Sequence, residues 1–268
     1  MKVRTELMKK AIEYLLIFIV VQVIITYCVK GVWYLVTGDS GRESGMLIVL
    51  TSILFGLATI ALFVWRKWTP VSRNYIQTRP WWVFFWSFLA ALGMYLPAEW
   101  VLENMPELPN ILKESFGDII NTPGGYLALG IVAPVAEEVV FRGAILRELL
   151  KWLGGPGSTG KAWGAIAISA LLFALVHMNP AQMPYAFVAG LLMGWMYWRT
   201  GSILPGIVFH VTTNTLSYVL MRLYPSADDV KLGDIFSGGE GDVMKAVCFS
   251  LLVLLPSLFQ LHVWMKRR

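Results

Sequence analysis

The sequence predicts an all-α, polytopic membrane bundle of about eight transmembrane helices, and three observations predict it. Of the 268 residues, 57% are hydrophobic and only 15% are charged, with a mean hydropathy of +0.62, whereas a soluble domain is about one quarter charged. Windows of roughly 20 apolar residues recur along the chain, each long enough to cross a ~30 Å hydrocarbon core. The Lys and Arg residues between these windows fall in alternate loops, because basic residues beside a helix end resist translocation.

In order, the windows lie near 11–29, 46–65, 81–102, 124–146, 162–178, 182–198, 203–222 and 244–264. Lys2, Arg4, Lys9 and Lys10 precede the first, and Glu13, one turn inside it, reads as lying near the headgroups. The first window is longer than the 7–15 apolar residues of a cleavable signal, and no small-x-small site follows at Tyr27, Cys28 and Val29, so it reads as a retained span. Arg66, Lys67, Arg73 and Arg79 separate the second and third windows, Arg147, Lys151 and Lys161 the fourth and fifth, and Arg199 the sixth and seventh, while Lys266, Arg267 and Arg268 close the chain. The opposite loops are acidic, with Glu99, Glu103, Glu107, Glu114 and Asp118 in one and Asp228, Asp229, Asp234, Glu240 and Asp242 in another. Both termini are therefore expected in the cytoplasm of a cell-membrane protein, and a bacterial origin fits the compact chain.

Trp65, Trp68, Trp81, Trp82, Trp163, Trp198 and Trp264 fall near window edges, as headgroup anchors do. The net charge of +5 comes largely from the basic loops and tails, which argues for contact with anionic lipid and against nucleic acid. Cys28 and Cys248 have no metal or CxxC spacing and read as packed, buried thiols. No 20–50-residue repeat is visible, so 1–268 reads as a single integral membrane domain with loops at 66–80, 103–123, 151–160 and 223–242. Gly154, Gly155, Pro156, Gly157 and Ser158 read as a flexible turn. Gly190 and Gly194 permit close helix approach, and Gly201 with Pro205 predicts a tight turn between antiparallel neighbours.

Against this background three polar motifs stand out. Glu137 and Glu138 interrupt the apolar run 124–146, where a charge near a bilayer centre costs roughly 3 kcal/mol on insertion scales. Arg142 follows Glu138 at i,i+4, spacing for an ion pair on one helical face, which leaves Glu137 available. His177 follows Phe173 by four residues and Asn214 follows His210 by four, each pair aligned on one face. Polar groups on three successive windows do not tolerate lipid, so they are expected to turn toward a shared polar cavity between helices 4, 5 and 7. His262, without a companion, reads as interfacial. Pro134 should kink the fourth helix and free the Gly130 carbonyl, opening a route for water. At 1.5 Å per residue, Glu137 lies about 20 Å from Gly124 and His177 about 24 Å from Lys161. These unequal depths call for shifted span edges, an inner start to the fifth helix, or strong tilt.

Peptide hydrolysis needs a water, a base to activate it and donors for the oxyanion. Glu137 suits the base, His177 can share the water and protonate the leaving amine, His210 and Asn214 can supply oxyanion donors, and Glu138 with Arg142 can hold the helix. The motifs Glu137-Glu138-Val-Val-Phe-Arg142, Phe173-Ala-Leu-Val-His177 and His210-Val-Thr-Thr-Asn214 resemble the signature of the CPBP family of intramembrane proteases. That family includes the prenyl-protein CAAX endopeptidases and bacteriocin-processing, abortive-infection-type relatives. The resemblance covers 124–222, the expected protease core. It implies an all-helical endopeptidase acting on a membrane-associated peptide or lipidated protein, with catalytic roles on Glu137, His177, His210 and Asn214.

Two questions stay open at this level. Glu137, His177 and His210 form a two-His, one-carboxylate set of the kind that binds zinc, so the expected cofactor is either none or Zn²⁺, and the resemblance favours the metal-free arrangement. The function classes that compete are a proton- or cation-coupled transporter, since buried Glu and His also relay protons, and a non-catalytic peptide-binding immunity or regulatory protein. Oligomeric state is not legible.

Overall fold

A computed structural model describes residues 2–39, 44–70, 72–153, 158–224, 231–236 and 238–265. Gly154, Gly155, Pro156, Gly157, Asp228, Asp229, Lys266, Arg267 and Arg268, together with the side chains of Lys2 and Arg4, lie outside the described residues. In chain order the helices are α1 (Lys2–Thr37), α2 (Gly45–Trp65), α3 (Arg73–Gln77), α4 (Trp81–Glu103), α5 (Lys113–Asn121), α6 (Ala133–Glu138), α7 (Arg147–Leu153), α8 (Thr159–Val176), α9 (Met183–Thr200), α10 (Leu204–Leu223), α11 (Leu232–Ile235) and α12 (Glu240–Trp264). Two π-helical stretches, Leu127–Val132 and Val139–Leu146, flank α6 and run into α7. Among the described residues no strand occurs, so the all-helical expectation holds.

Every predicted window is helical, but five helices are long and apolar enough to cross a membrane: residues Thr5–Thr37 of α1, and α2, α4, α8 and α12. The other three windows fall short for reasons of composition. The window 124–146 is broken by π turns and carries Glu137, Glu138 and Arg142. In α9, Trp, Tyr and Gly dilute the aliphatics, and in α10 Thr, His and Asn do so. Helix α8 also ends at Val176, so His177 sits at a helix end rather than in mid-span.

The chain divides into two compact units, Met1–Val71 with Glu114–Ser169, and Ser72–Lys113 with Ala170–Arg268. In the first, Ala11, Tyr14 and Phe18 form the buried stripe of α1, spaced as one helical face. Tyr14 packs on Phe63 and Trp68, and Phe18 on Phe55 and Phe141. The opposite face of α1 exposes Ile12, Leu16, Ile19, Val20 and Val23, which suits acyl chains as solvent. Helix α2 packs along α6 and both π stretches, and Val49, Ile119 and Ala128 form a small core.

In the second unit α4 packs against α10 and α12. Gly93 admits the α12 backbone, since a Cβ there would lie 2.6 Å from the Leu254 nitrogen. Gly190 does the same for α8, where a Cβ would meet that of Ala170 at 2.9 Å, as its small-residue spacing predicts. Gly201 ends α9 at φ +65° and turns the chain into α10, the expected tight turn, with Gly supplying the left-handed conformation. Arg199 then donates to the carbonyls of Met265 and His262 at the end of α12.

Two readings need correction. Cys28 and Cys248 are exposed, not buried, because they sit on the outer faces of α1 and α12, where the bilayer supplies the apolar surroundings. Glu99 and Glu103 belong to α4 and not to an acidic loop. Glu103 Oε1 accepts from the Leu232 N–H at 2.7 Å, tying α4 to α11.

Candidate active site

The first unit carries the Glu-Glu motif. Pro134 occupies the first turn of α6, where its missing N–H is tolerated. The turn before it is widened to π geometry, with the Ala133 N–H reaching back five residues to the Ala128 carbonyl. After α6 the helix widens again, and loosened ladder carbonyls there find side-chain partners: Thr69 Oγ1 donates to the Val139 carbonyl at 2.6 Å and Ser169 Oγ to that of Phe141 at 3.1 Å. Such π turns concentrate at functional sites. Both carboxylates thus stand on one short regular segment between two irregular ones.

Glu138 and Arg142 form the predicted i,i+4 pair, with Arg142 Nη1 donating to Glu138 Oε1 at 2.6 Å and both side chains essentially fully buried. Glu137, next in the chain, is only half-buried. One carboxylate is therefore locked in the packing and its neighbour is partly accessible.

The second unit brings together Phe173, His177 and His210. The Phe173 ring is buried, and both imidazoles meet it edge to face, His177 at 4.9 Å and His210 at 5.6 Å between centroids. His177 Nδ1 lies 2.8 Å from the Phe173 carbonyl. A carbonyl only accepts, so Nδ1 carries the proton, and in the neutral ring Nε2 keeps its lone pair. His210 is buried, its own carbonyl accepts from Thr213 Oγ1 at 2.9 Å, and Asn214 stands one turn on, half-buried.

Several polar groups of this unit have no counterpart among the sequence candidates. Thr213 and Ser217 extend the His210–Asn214 face of α10 at i+3 and i+7. Tyr95 of α4 hydrogen-bonds with Ser217, Tyr185 of α9 lies against Thr213, and Glu99 acts electrostatically on both phenols. The clue was the spacing of Thr213 and Ser217; the tyrosines had none, because Tyr in an apolar helix reads as an interfacial anchor.

For a metal, the donors of suitable type are His177 and His210 in this unit and Glu137 in the other. Among the described residues neither unit by itself gathers three His, Cys, Asp or Glu side chains.

Comparison with known proteins fits this geometry. Residues 120–216, which hold all three motifs, match the model of the Rce1-like type II CAAX prenyl endopeptidases. The chain is 29% identical to the membrane-embedded CAAX protease MroQ of Staphylococcus aureus, over 37% of this chain and 40% of the length of that protein. It is 27% identical to an uncharacterized 24.3 kDa protein of Escherichia coli, over 57% of this chain and 70% of that protein. No solved structure matches. In an all-helical integral membrane protein with five candidate spans, residues 120–216, which carry these motifs in this order, are thus similar to the Rce1-like type II CAAX prenyl endopeptidases.

Proposed function

We propose that this protein is an intramembrane endopeptidase that hydrolyses one peptide bond of a membrane-associated substrate with a water activated by Glu137 and His177. The observation that carries the reading is the 2.8 Å contact between His177 Nδ1 and the Phe173 carbonyl: the carbonyl only accepts, so Nδ1 is the donor and Nε2 is left as the nitrogen for water activation. Glu137 takes the proton of the attacking water as oxygen adds to the scissile carbonyl. The resulting oxyanion accepts hydrogen bonds from His210 and Asn214. Collapse breaks the C–N bond, and the proton returns by way of His177 to the departing amine. Glu138 and Arg142 stay out of the reaction and fix the helix that carries Glu137. The reaction proceeds without a metal, both carboxylate and imidazole acting directly on water.

The family and the name of the Staphylococcus relative point to a C-terminal CAAX-type peptide, prenylated or not, presented at the membrane surface. The test uses the purified full chain in detergent with a panel of quenched peptides, each in prenylated and unprenylated form. Cleavage by the native chain and its loss in both Glu137→Ala and His177→Ala is expected. Cleavage that survives both changes overturns the assignment, and ion flux into liposomes without cleavage replaces it with a transporter.

A further inference from the structure

Immediately after His177 the chain does something that helix formation does not call for. Met178 is 74% exposed and adopts φ +50°, a left-handed conformation that costs a β-carbon-bearing residue about 1 kcal/mol or more. Strain of this kind persists only where the surroundings over-determine it, and here the surroundings are Asn179. Its side chain is fully buried although it stands in a turn. Its Oδ1 accepts from the Ile111 N–H at 3.1 Å and its Nδ2 donates to Asn110 Oδ1 at 2.9 Å. Beside these, the Ala181 N–H reaches the Pro109 carbonyl at 3.3 Å.

The result is a three-point clasp between the turn 178–181 and the segment Pro109–Ile111, all within the second unit. Segment 106–110 has no regular secondary structure and is exposed, so its own packing does not hold it. The residue before each of Pro106 and Pro109 is biased to extended backbone, which keeps the segment from coiling into α4 or α5. Asn179 therefore fixes two things at once, the end of the helix that presents His177 and the stretch of chain that lies alongside it.

We infer that Asn179 is a positioning residue for His177, acting through the Met178 turn and the clasp to Asn110 and Ile111. The inference rests on the reading of His177 as a water-activating group. Without the clasp Met178 relaxes out of the left-handed region, the turn shifts, and the imidazole loses its fixed aim while the substrate-binding surface changes little.

The experiment compares Asn179→Ala, Asn179→Asp and Asn110→Ala in the full-length protein with a control, Ser87→Ala, which removes a different buried hydrogen bond of the same unit. Cleavage of a quenched peptide gives kcat and KM, thermal unfolding in detergent gives stability, and mass spectrometry follows diethyl pyrocarbonate modification of His177. Asn179→Ala is expected to lower kcat about ten- to a hundredfold, the scale on which a small misplacement of a catalytic group acts, while KM changes less than about twofold. Asn179→Asp keeps an acceptor for the Ile111 N–H, and Asn110 can turn its amide to donate, so this variant recovers most of kcat. His177 modification accelerates severalfold in Asn179→Ala and not in Ser87→Ala. Native kcat and native His177 reactivity in Asn179→Ala overturn the inference, as does a loss that only follows stability in the way Ser87→Ala does. If Asn179→Ala does not fold, Asn110→Ala carries the same comparison. If the native chain cleaves nothing, the reading of His177 fails, and the modification rates still decide whether Asn179 positions it.

Discussion

His177 Nδ1 lies 2.8 Å from the backbone carbonyl of Phe173, one turn earlier in the chain. This bond fixes the tautomer without a carboxylate partner, unlike the arrangement in which an acid orients the base. It also aligns the imidazole edge to face with the Phe173 ring, which His210 meets as well. One aromatic side chain thus serves as the shared wall of two imidazoles.

From that relation follows a prediction about His177 itself. Replacement by Ala removes the proposed proton acceptor but leaves α8, which ends before it, intact. Cleavage should fall by about 10²–10⁴, the usual contribution of a general acid or base, with unchanged helicity by circular dichroism. Replacement of Phe173 by Leu keeps the carbonyl and loses the ring, so it should cost less in kcat than His177→Ala and more in stability.

The Glu138–Arg142 pair is fully buried, and its energetics are asymmetric. Breaking such a pair from one side leaves a buried charge and costs about 3–5 kcal/mol, whereas replacing both partners by apolar residues of similar volume is often neutral. Glu138→Gln and Arg142→Met should each lower the midpoint of thermal unfolding in detergent sharply. The double variant Glu138→Leu with Arg142→Met should recover most of it. A double variant no better than the singles would mean that the pair does more than close its own charge.

The widened helix after α6 depends on Thr69, whose hydroxyl satisfies the Val139 carbonyl and whose side chain fills the space that a Cβ at Gly143 would occupy. Thr69→Val leaves a buried carbonyl without its donor and should cost about 1–3 kcal/mol. Gly143→Ala overpacks the same contact and should cost a comparable 1–3 kcal/mol or so. Both changes perturb the segment that carries Glu137, so each should reduce cleavage beyond its effect on folded protein at low temperature.

The helices and the three motifs were legible because each is a local pattern. Runs of apolar residues give spans, and an i,i+4 spacing puts Glu138 on Arg142 and Phe173 beside His177. What was not legible depends on contacts made far along the chain. Nothing near Val139 announces a π stretch, since its hydroxyl donor, Thr69, lies 70 residues earlier. Nothing around Asn179 in the sequence points to Asn110 and Ile111, which lie against it from nearly 70 residues earlier. Tyr95 and Tyr185 carry no local pattern that points to Ser217 and Thr213, which meet them from another helix. The cysteines went wrong for another reason: burial in a soluble core and exposure to lipid leave the same trace in sequence.

The proposal of a metal-free reaction makes its own prediction. Protein purified without added metal should contain far less than one zinc per chain and should keep its cleavage rate in the presence of 1,10-phenanthroline. Zinc binding releases a proton wherever a protonated ligand must first be freed, so the metal content should be measured at more than one pH. One zinc per chain, with activity lost on its removal and restored on its return, would overturn the metal-free reading and make Glu137, His177 and His210 the candidate ligands.

The basic loops predict an orientation that a labelling experiment reads directly. Lys67, between α2 and α3, and Glu107, between α4 and α5, are both exposed, and α4 is one of the membrane-spanning candidates between them. They should therefore face opposite sides, Lys67 the cytoplasm, since positive charge beside a span is retained there. With Cys28 and Cys248 replaced by Ser, a cysteine at position 107 should react with a membrane-impermeant maleimide in intact cells, and one at position 67 only after permeabilisation. The reverse pattern would place the segment that Asn179 clasps, and with it the His177 end of α8, on the cytoplasmic side, and substrate would then have to arrive from there.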